Sequence, residues 1–368
     1  MRDVRAGERV LCAMSGGVDS SVAASLLVEQ GFVTTGVTMH LFDAAARDSA
    51  DAHGCGTSGD VRDAEAVCRQ LGIPHRTIDF TDRFATCVID RFCESYLAGR
   101  TPNPCIDCNR HLKFAGLQRY RCEAGAAYVA TGHYAQRIKD PRTGLWQLAR
   151  AKDATKDQSY FLYHLTQDDL AHMLFPLGAL EKSAVRERAA QHGFSNAHKA
   201  ESQDICFVPD GDHVGFIERW AHPSCTDVAF APGDIIDADG RIRGQHRGLI
   251  HYTLGQRKGI GIANPSPLYV KDKDVERNEL IVSEHEGLMT DEVHLEDINI
   301  ISGDYRPRTI PITAKLSYRH DAVAAELHIR GRDSAHLKLA KPHVRPAPGQ
   351  AAVAYRDDVV IGGGTVSR

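Results

Sequence analysis

The stretch MSGGVDSS (14–21) constrains this chain more than any other, because of what flanks it. RVLCAM (9–14) before it is a short apolar run, and VDSSVAASLLVEQG (18–31) after it has helical spacing that stops at a glycine. A strand, a glycine turn and a helix in that order put the turn at the carboxyl edge of a parallel sheet, where ligands bind. Gly16 and Gly17 allow a sharp turn with inward N–H groups, and Ser15, Ser20 and Ser21 add hydroxyl donors. The helix N-terminus adds partial positive charge, and together these parts make a phosphate cradle. Within this loop the lysine of GxxxxGK[ST] is missing and the glycines do not follow GxGxxG, so it is neither a Walker loop nor a dinucleotide fingerprint. A bare pair of glycines would mean only close packing of strand on helix; the clustered hydroxyls and Asp19 argue for more.

The alternation continues. FVTTGVTMHLF (32–42) is β-branched, DVRDAEAVCRQLG (60–72) helical, HRTIDF (75–80) a strand and DRFATCVIDRFCESYLAG (82–99) amphipathic. A helix from Asn109 to about Gly125 and a strand at AAYVATG (126–132) follow. This pattern predicts a parallel sheet covered by helices on both faces. Residues 43–59, small and polar without period, read as a mobile loop near the active edge. After Cys206, apart from DHVGFIERWA, the texture turns to short β-like runs split by Gly, Asp and Pro: DIIDADGRIRG, LYVKDKDVERNELIVS, ITAKLSYRH, AAELHIRG, HLKLA and AAVAYRDDVVIGGG. That is the signature of small barrels or sandwiches. Three domains are expected: 1–205, 206–285 and 286–368.

With 368 residues, 42% of them hydrophobic and 25% charged, the chain has material for two or three cores. No apolar run approaches the roughly 20 residues of a membrane span, and the first residues lack a secretory signal pattern. A cytoplasmic, membrane-free setting is therefore expected, and its reducing conditions turn the ten cysteines toward buried thiols, metal ligands or catalysis. The net charge of −4 does not announce a nucleic-acid partner. From Arg241 to Ala263, however, no acid occurs among Arg241, Arg243, Arg247, Arg257 and Lys258. Such a stretch suits a phosphate backbone or an ordinary solvated face.

SGGVDSS resembles the signature of the pyrophosphate-loop ATP enzymes, which adenylate an oxygen and release pyrophosphate. With GRTPNPCIDCNRHLKF (99–114), ATGHYA (130–135), KDQSYFLY (156–163), ESQDICF (201–207) and TLGQRKGIG (253–261), the chain resembles the bacterial tRNA-specific 2-thiouridylase family (MnmA/TrmU) over nearly its whole length. GMP synthetase and argininosuccinate synthetase share the first motif but need no C-x-x-C beside a third cysteine. The resemblance implies an α/β adenine-nucleotide α-hydrolase-like domain followed by two small β-rich domains, the last a β-barrel. It implies a sulfurtransferase that adenylates C2 of the wobble uridine with ATP and Mg²⁺, then delivers sulfur from a cysteine persulfide. The products are 2-thiouridine, AMP and pyrophosphate. The implied partners are tRNAs of the Lys, Glu and Gln type and a cysteine desulfurase or sulfur-relay protein, with the enzyme a monomer.

Residue by residue, the resemblance implies ATP contacts at Ala13, Met14, Ser15, Gly16, Gly17, Val18, Asp19, Ser20, Met39 and Gly132. Asp19 helps to hold Mg²⁺ or orients the loop, and His133 touches phosphate or packs the turn. Cys108 matches the catalytic nucleophile and Cys206 the persulfide carrier, with Asn103, Pro104 and Cys105 at the target base. Cys108, read as lying just before a helix that opens at Asn109, gains thiolate character from the helix dipole. Sulfur leaves by a disulfide between the pair or as hydrosulfide freed at Cys108. Lys156, Asp157, Gln158, Ser317 and Tyr318 match tRNA contacts, to which Arg257 and Lys258 add phosphate contacts and Tyr318 a stacking surface. Some family members carry Arg at the position of Ser317.

Cys105 departs from family members that carry Asp there, and its role stays open. With Cys108 and Cys206 it offers three thiolates, enough for a [4Fe–4S] cluster with one open iron. A structural zinc site wants four ligands, and His111 would leave the turn on the helix. Persulfide chemistry without metal, an iron–sulfur cluster, a dithiol redox pair, zinc or an inert Cys105 are the readings.

Overall fold

The computed structural model describes residues 6–42, 56–197, 199, 205–221 and 227–367. Most of the expected loop at 43–59, and residues 201–204 of ESQDICF, lie outside the described residues.

Five parallel strands form the first sheet: β1 (Arg9–Ala13), β2 (Val33–His40), β3 (His75–Asp79), β4 (Tyr128–Ala130) and, last in the chain, β7 (Met173–Leu174). Their order is β3-β2-β1-β4-β7, so the progression reverses at β1 and β4. Val10 pairs with Thr34 on one side and Tyr128 on the other. The crevice outside the carboxyl ends of β1 and β4 is the switch point at which such sheets bind ligands. The first helix, α1 (Val18–Glu29), is buried on nearly every side, from Val22, Ala23 and Ala24 to Leu27. Its small residues let it pack between the sheet and the 182–191 helix, with Val185 and Ala189 in the same core. Truncating a side chain such as Leu27 to Ala would cost about 2–5 kcal/mol. α2 (Ser58–Leu71) opens on a reciprocal Thr57–Asp60 capping box and ends at Gly72 in the left-handed region.

Two longer helical runs cover the other face, residues 81–97 and 104–123. In each the hydrogen-bond ladder widens to a π stretch, Ala85–Asp90 in the first and Cys108–Phe114 in the second. π stretches are rare and occur often at functional sites. The second run, here the cysteine helix, starts at Pro104 with Asn103 as its N-cap, not at Asn109 as the sequence suggested. Proline supplies the correct φ at a position whose N–H has no helical partner, which is why the helix begins five residues early.

The β-rich half matches the expectation and adds to it. A four-stranded sheet has the order β10-β11-β8-β9, from β8 (Gly233–Ile236), β9 (Ile242–His246), β10 (Tyr269–Asp274) and β11 (Glu279–Ser283). β12 (Met289–Ile300), β13 (Arg308–Lys315), β14 (Val323–Ile329), β15 (Ala335–Val344), β16 (Ala351–Arg356) and β17 (Val359–Val366) close into a six-stranded barrel through β12–β17 pairing. Its interior is filled by alternating residues such as Val293, Leu295, Ile310, Ile312, Leu327 and Leu337. The sequence reading did not mark β12, nor a hairpin of β5 (Ala135–Lys139) and β6 (Trp146–Arg150). That hairpin leaves the first half of the chain and extends the barrel sheet, Val359 pairing with Ala149 and Val360 with Leu148.

Candidate active site

The glycine loop lies at the carboxyl end of β1. Gly16 has φ +69, and a Cβ there would meet the Asp60 backbone at 2.6 Å, so no other residue fits. Gly17 is the N-cap of α1 and no side chain caps it, which leaves the helix N-terminus for a ligand. The hydroxyls brace the turn. Ser15 N–H donates to Ser20 Oγ at 3.1 Å, Ser20 and Ser21 donate to the Gly17 carbonyl, and Asn196 Nδ2 donates to the Gly16 carbonyl at 2.9 Å. Met14 and Val18 are core residues, so only their backbone can face a nucleotide. Met39, on β2, is half-buried and pairs in register with Ile78 of β3.

Asp19 is gripped from two sides. Lys182 Nζ lies 2.7 and 2.8 Å from its carboxylate oxygens, and the Tyr134 hydroxyl donates to Oδ1 at 2.8 Å. Lys182 is itself buried, its backbone N–H held by Asp153 at 3.0 Å. Of the two roles for Asp19, orienting the loop is the one these contacts serve. The sequence reading missed Lys182, which sits 163 residues away. Gly132 packs so tightly that a Cβ would fall 2.9 Å from the Ser20 amide nitrogen, which locks the end of β4 onto the loop. His133 bonds Thr131 through Nδ1 at 2.8 Å, and burial with Lys113 nearby holds its imidazole well below the usual histidine range. It is neutral, which fits a packing role better than a phosphate cation.

The cysteines differ sharply in setting. Cys105 is exposed in the first turn of the cysteine helix, Cys108 is buried at the start of its π stretch, and Cys206 is half-buried. Because the helix starts at Pro104, the dipole acts most strongly on Cys105, and the dipole argument for Cys108 weakens. Cys108 belongs to an apolar cluster with Leu41, Phe84, Phe92, Leu112 and Phe207, against which both Cys206 and Met39 pack. Asp107 points to Arg91 at 3.4 Å, and burial raises its pKa despite that neighbour. Among the described residues no three of His, Cys, Asp and Glu converge as metal ligands.

The proposed RNA contacts divide in the same way. Asp157 is buried, its carboxylate accepting from the Ala151 and Ser159 amides and the Ser159 hydroxyl, and Gln158 Oε1 accepts the Tyr134 N–H. These two shape the turn that carries Lys156. Tyr318 rests on Phe161, centroids 4.5 Å apart, and Ser317 Oγ meets His320 at 2.9 Å. Arg257 and Lys258 are exposed. In the basic stretch, Arg241 and Arg243 fold back on Asp239 and Asp237, at 3.5 and 2.6 Å, because β8 and β9 form a hairpin.

A parallel sheet with this loop at its switch point defines a HUP-type nucleotide-binding domain, here joined to two β-rich units. Residues 8–210 match the family described as tRNA methyl transferase HUP domain, 225–284 its PRC-barrel domain, and 290–366 the aminomethyltransferase beta-barrel domain. The tRNA-specific 2-thiouridylase MnmA of Heliobacterium modesticaldum is 44% identical over 98% of this chain and 93% of its own length. Those of Symbiobacterium thermophilum and Carboxydothermus hydrogenoformans are 46% and 41% identical, over 98% and 100% of this chain and 92% and 99% of theirs. The chain belongs to the tRNA-specific 2-thiouridylase (MnmA) family. A solved 4-thiouridine synthetase–RNA complex with bound ATP is 17% identical, with a TM-score of 0.36 over 58% of this chain and 49% of that one, too slight a likeness to carry function.

Proposed function

We propose that this chain is a tRNA 2-thiouridylase that adenylates C2 of the wobble uridine and replaces its oxygen with sulfur. The observation that carries this reading is that Met39, at the nucleotide edge, and Cys108 and Cys206 all pack into or against one apolar cluster. Activation and sulfur delivery thus share one site. ATP lies on the loop from Ala13 to Ser20, with Mg²⁺ bound to its phosphates. The uridine O2 attacks the α-phosphorus and pyrophosphate leaves along the α1 N-terminus, with AMP then the leaving group at C2. A persulfide on Cys206 supplies the sulfur and Cys108 accepts the remaining sulfur bond, so a Cys108–Cys206 disulfide forms that an external thiol must reduce. The persulfide route is preferred to an iron–sulfur cluster because Cys108 and Cys206 share one apolar cluster while Cys105 is exposed.

Asn103, Pro104 and Cys105, at the mouth of the cysteine helix, meet the target base; Lys156, Tyr318, Arg257 and Lys258 follow the RNA. The proposed domains are 1–205, 206–285 and 286–368, a division that the three matched segments support. The reading places the enzyme in the cytoplasm as a monomer served by a cysteine desulfurase or sulfur-relay protein. No described helix is long and apolar enough to cross a membrane. The test is an anaerobic assay with tRNA, ATP, Mg²⁺ and sulfide or a desulfurase, reading 2-thiouridine and AMP together. ADP and phosphate as products would overturn it, and so would AMP release without thiolated nucleoside.

A further inference from the structure

The C-terminal barrel grips the cysteine segment on both sides of Cys105 and Cys108. Before them, Arg100 Nη1 lies 2.5 Å from Glu296 Oε1, the Thr101 N–H donates to the Pro348 carbonyl at 2.8 Å, and Gln350 Nε2 donates to the Thr101 carbonyl at 2.8 Å. Gly349 approaches so closely that a Cβ would meet the Thr101 carbonyl oxygen at 3.1 Å. After them, Arg110 forks onto both carboxylate oxygens of Asp297, the Nη2–Oδ1 bond at 3.0 Å.

Glu296 and Asp297 occupy an irregularity of β12. The register against β17 shifts between Glu296 and Asn299, and Asp297 has φ +47, a conformation a non-glycine residue rarely adopts. A bulge of this kind re-aims side chains and tends to occur beside active sites. Here it turns two successive carboxylates toward two arginines that bracket the cysteines. Asn299, at the end of the same irregularity, donates Nδ2 to the Tyr163 and Leu165 carbonyls at 2.7 and 3.0 Å. A cavity of about 290 Å³ lined by Arg110, Phe114, His164, Asp297 and Tyr305 opens at this junction, which leaves the Arg110–Asp297 pair partly open to solvent.

We propose that the β12 bulge, through Glu296–Arg100 and Asp297–Arg110, positions the cysteine segment for sulfur transfer, making Asp297 a positioning residue for the reaction. The proposal rests on the reading of Cys108 as the attacking thiol. Exposed ion pairs add little to stability, so variants that remove them fold. Small displacements of a reacting group, by contrast, are costly in rate.

The test uses the full chain with Asp297→Asn, which keeps a residue tolerant of the left-handed backbone and removes the charge. Formation of 2-thiouridine at saturating tRNA and ATP is expected to fall on the order of tenfold to a hundredfold, while AMP formation and tRNA affinity change by less than about twofold. Arg110→Ala/Asp297→Ala should be no slower than either single variant, because both remove one interaction. Native thiolation in Asp297→Asn and in Glu296→Gln/Asp297→Asn would overturn the proposal. A loss confined to tRNA affinity, or a parallel fall in thiolation, AMP formation and melting temperature, would also overturn it. An active Cys108→Ser variant would remove the underlying reading and the proposal together; an inactive one beside a fully active Asp297→Asn would remove only the proposal.

Discussion

Lys182 reaches both carboxylate oxygens of Asp19, at 2.7 and 2.8 Å, across 163 residues of sequence. The pair fixes the glycine loop from the side of the 182–191 helix, while Tyr134 fixes it from the end of β4. Asp19→Ala should abolish AMP and pyrophosphate formation and leave tRNA affinity largely intact. Lys182→Met should lower AMP formation on the order of a hundredfold, since it removes a preorganised charge beside developing phosphate charge. Pyrophosphate release at the native rate in Lys182→Met would show that the pair merely packs the loop.

Cys108 and Cys206 act in series in the proposed reaction, so their serine variants should fail differently. Cys206→Ser should block transfer from a desulfurase and recover in part with free sulfide. Cys108→Ser should be inactive with either source. Equal rescue of both by sulfide would end the division of labour, and full activity of metal-free Cys105→Ala would show that the exposed thiol is dispensable.

All four cations Arg241, Arg243, Arg257 and Lys258 are exposed, but Arg241 and Arg243 pair with Asp239 and Asp237. Arg257→Ala and Lys258→Ala should each weaken binding of every tRNA and reduce the slope of log affinity against log salt by about one. Arg243→Ala should leave that slope unchanged. A titration of tRNA at several salt concentrations checks all three.

His164 lines the cavity beside the barrel, both ring nitrogens buried without a hydrogen-bond partner among the described residues, and burial lowers its pKa to about 3. The unfolded chain, with the ordinary value of 6.5, takes up a proton that the folded one refuses. Stability from this site is therefore complete above pH 6.5 and is lost progressively as pH falls toward about 3. His164→Phe should flatten the fall in melting temperature between pH 6.5 and 4.5, the region of that window where the unfolded imidazole takes up its proton. An unchanged pH dependence in the variant would place the acid sensitivity elsewhere.

The sheet, the phosphate loop and the β-rich second half were legible in the residues because each rests on local pattern. Strand and helix periods reveal themselves within a dozen residues, and the turn chemistry of Ser-Gly-Gly needs only its own glycines and hydroxyls. The roles of the cysteines came from the family resemblance and from no local pattern. The start of the cysteine helix was misjudged because Pro104 reads as a breaker in sequence and acts as an N-terminal helix residue in place. β12 was overlooked because alternating acids such as Glu292 and Glu296 mask its apolar face, Val293, Leu295 and Ile298.

By itself, then, the sequence determined that strands would alternate with helices, that a turn of glycines and hydroxyls would sit at the end of β1, and that small β-rich units would follow. Only the tertiary structure decided which charges meet. Lys182 on Asp19, Asp297 on Arg110 and Asp237 on Arg243 each depend on where a helix, a bulge or a hairpin brings a side chain that no local spacing connects. Coulomb attraction and hydrogen bonding act over a few ångströms of space, whereas pattern in a sequence speaks only of neighbours along the chain.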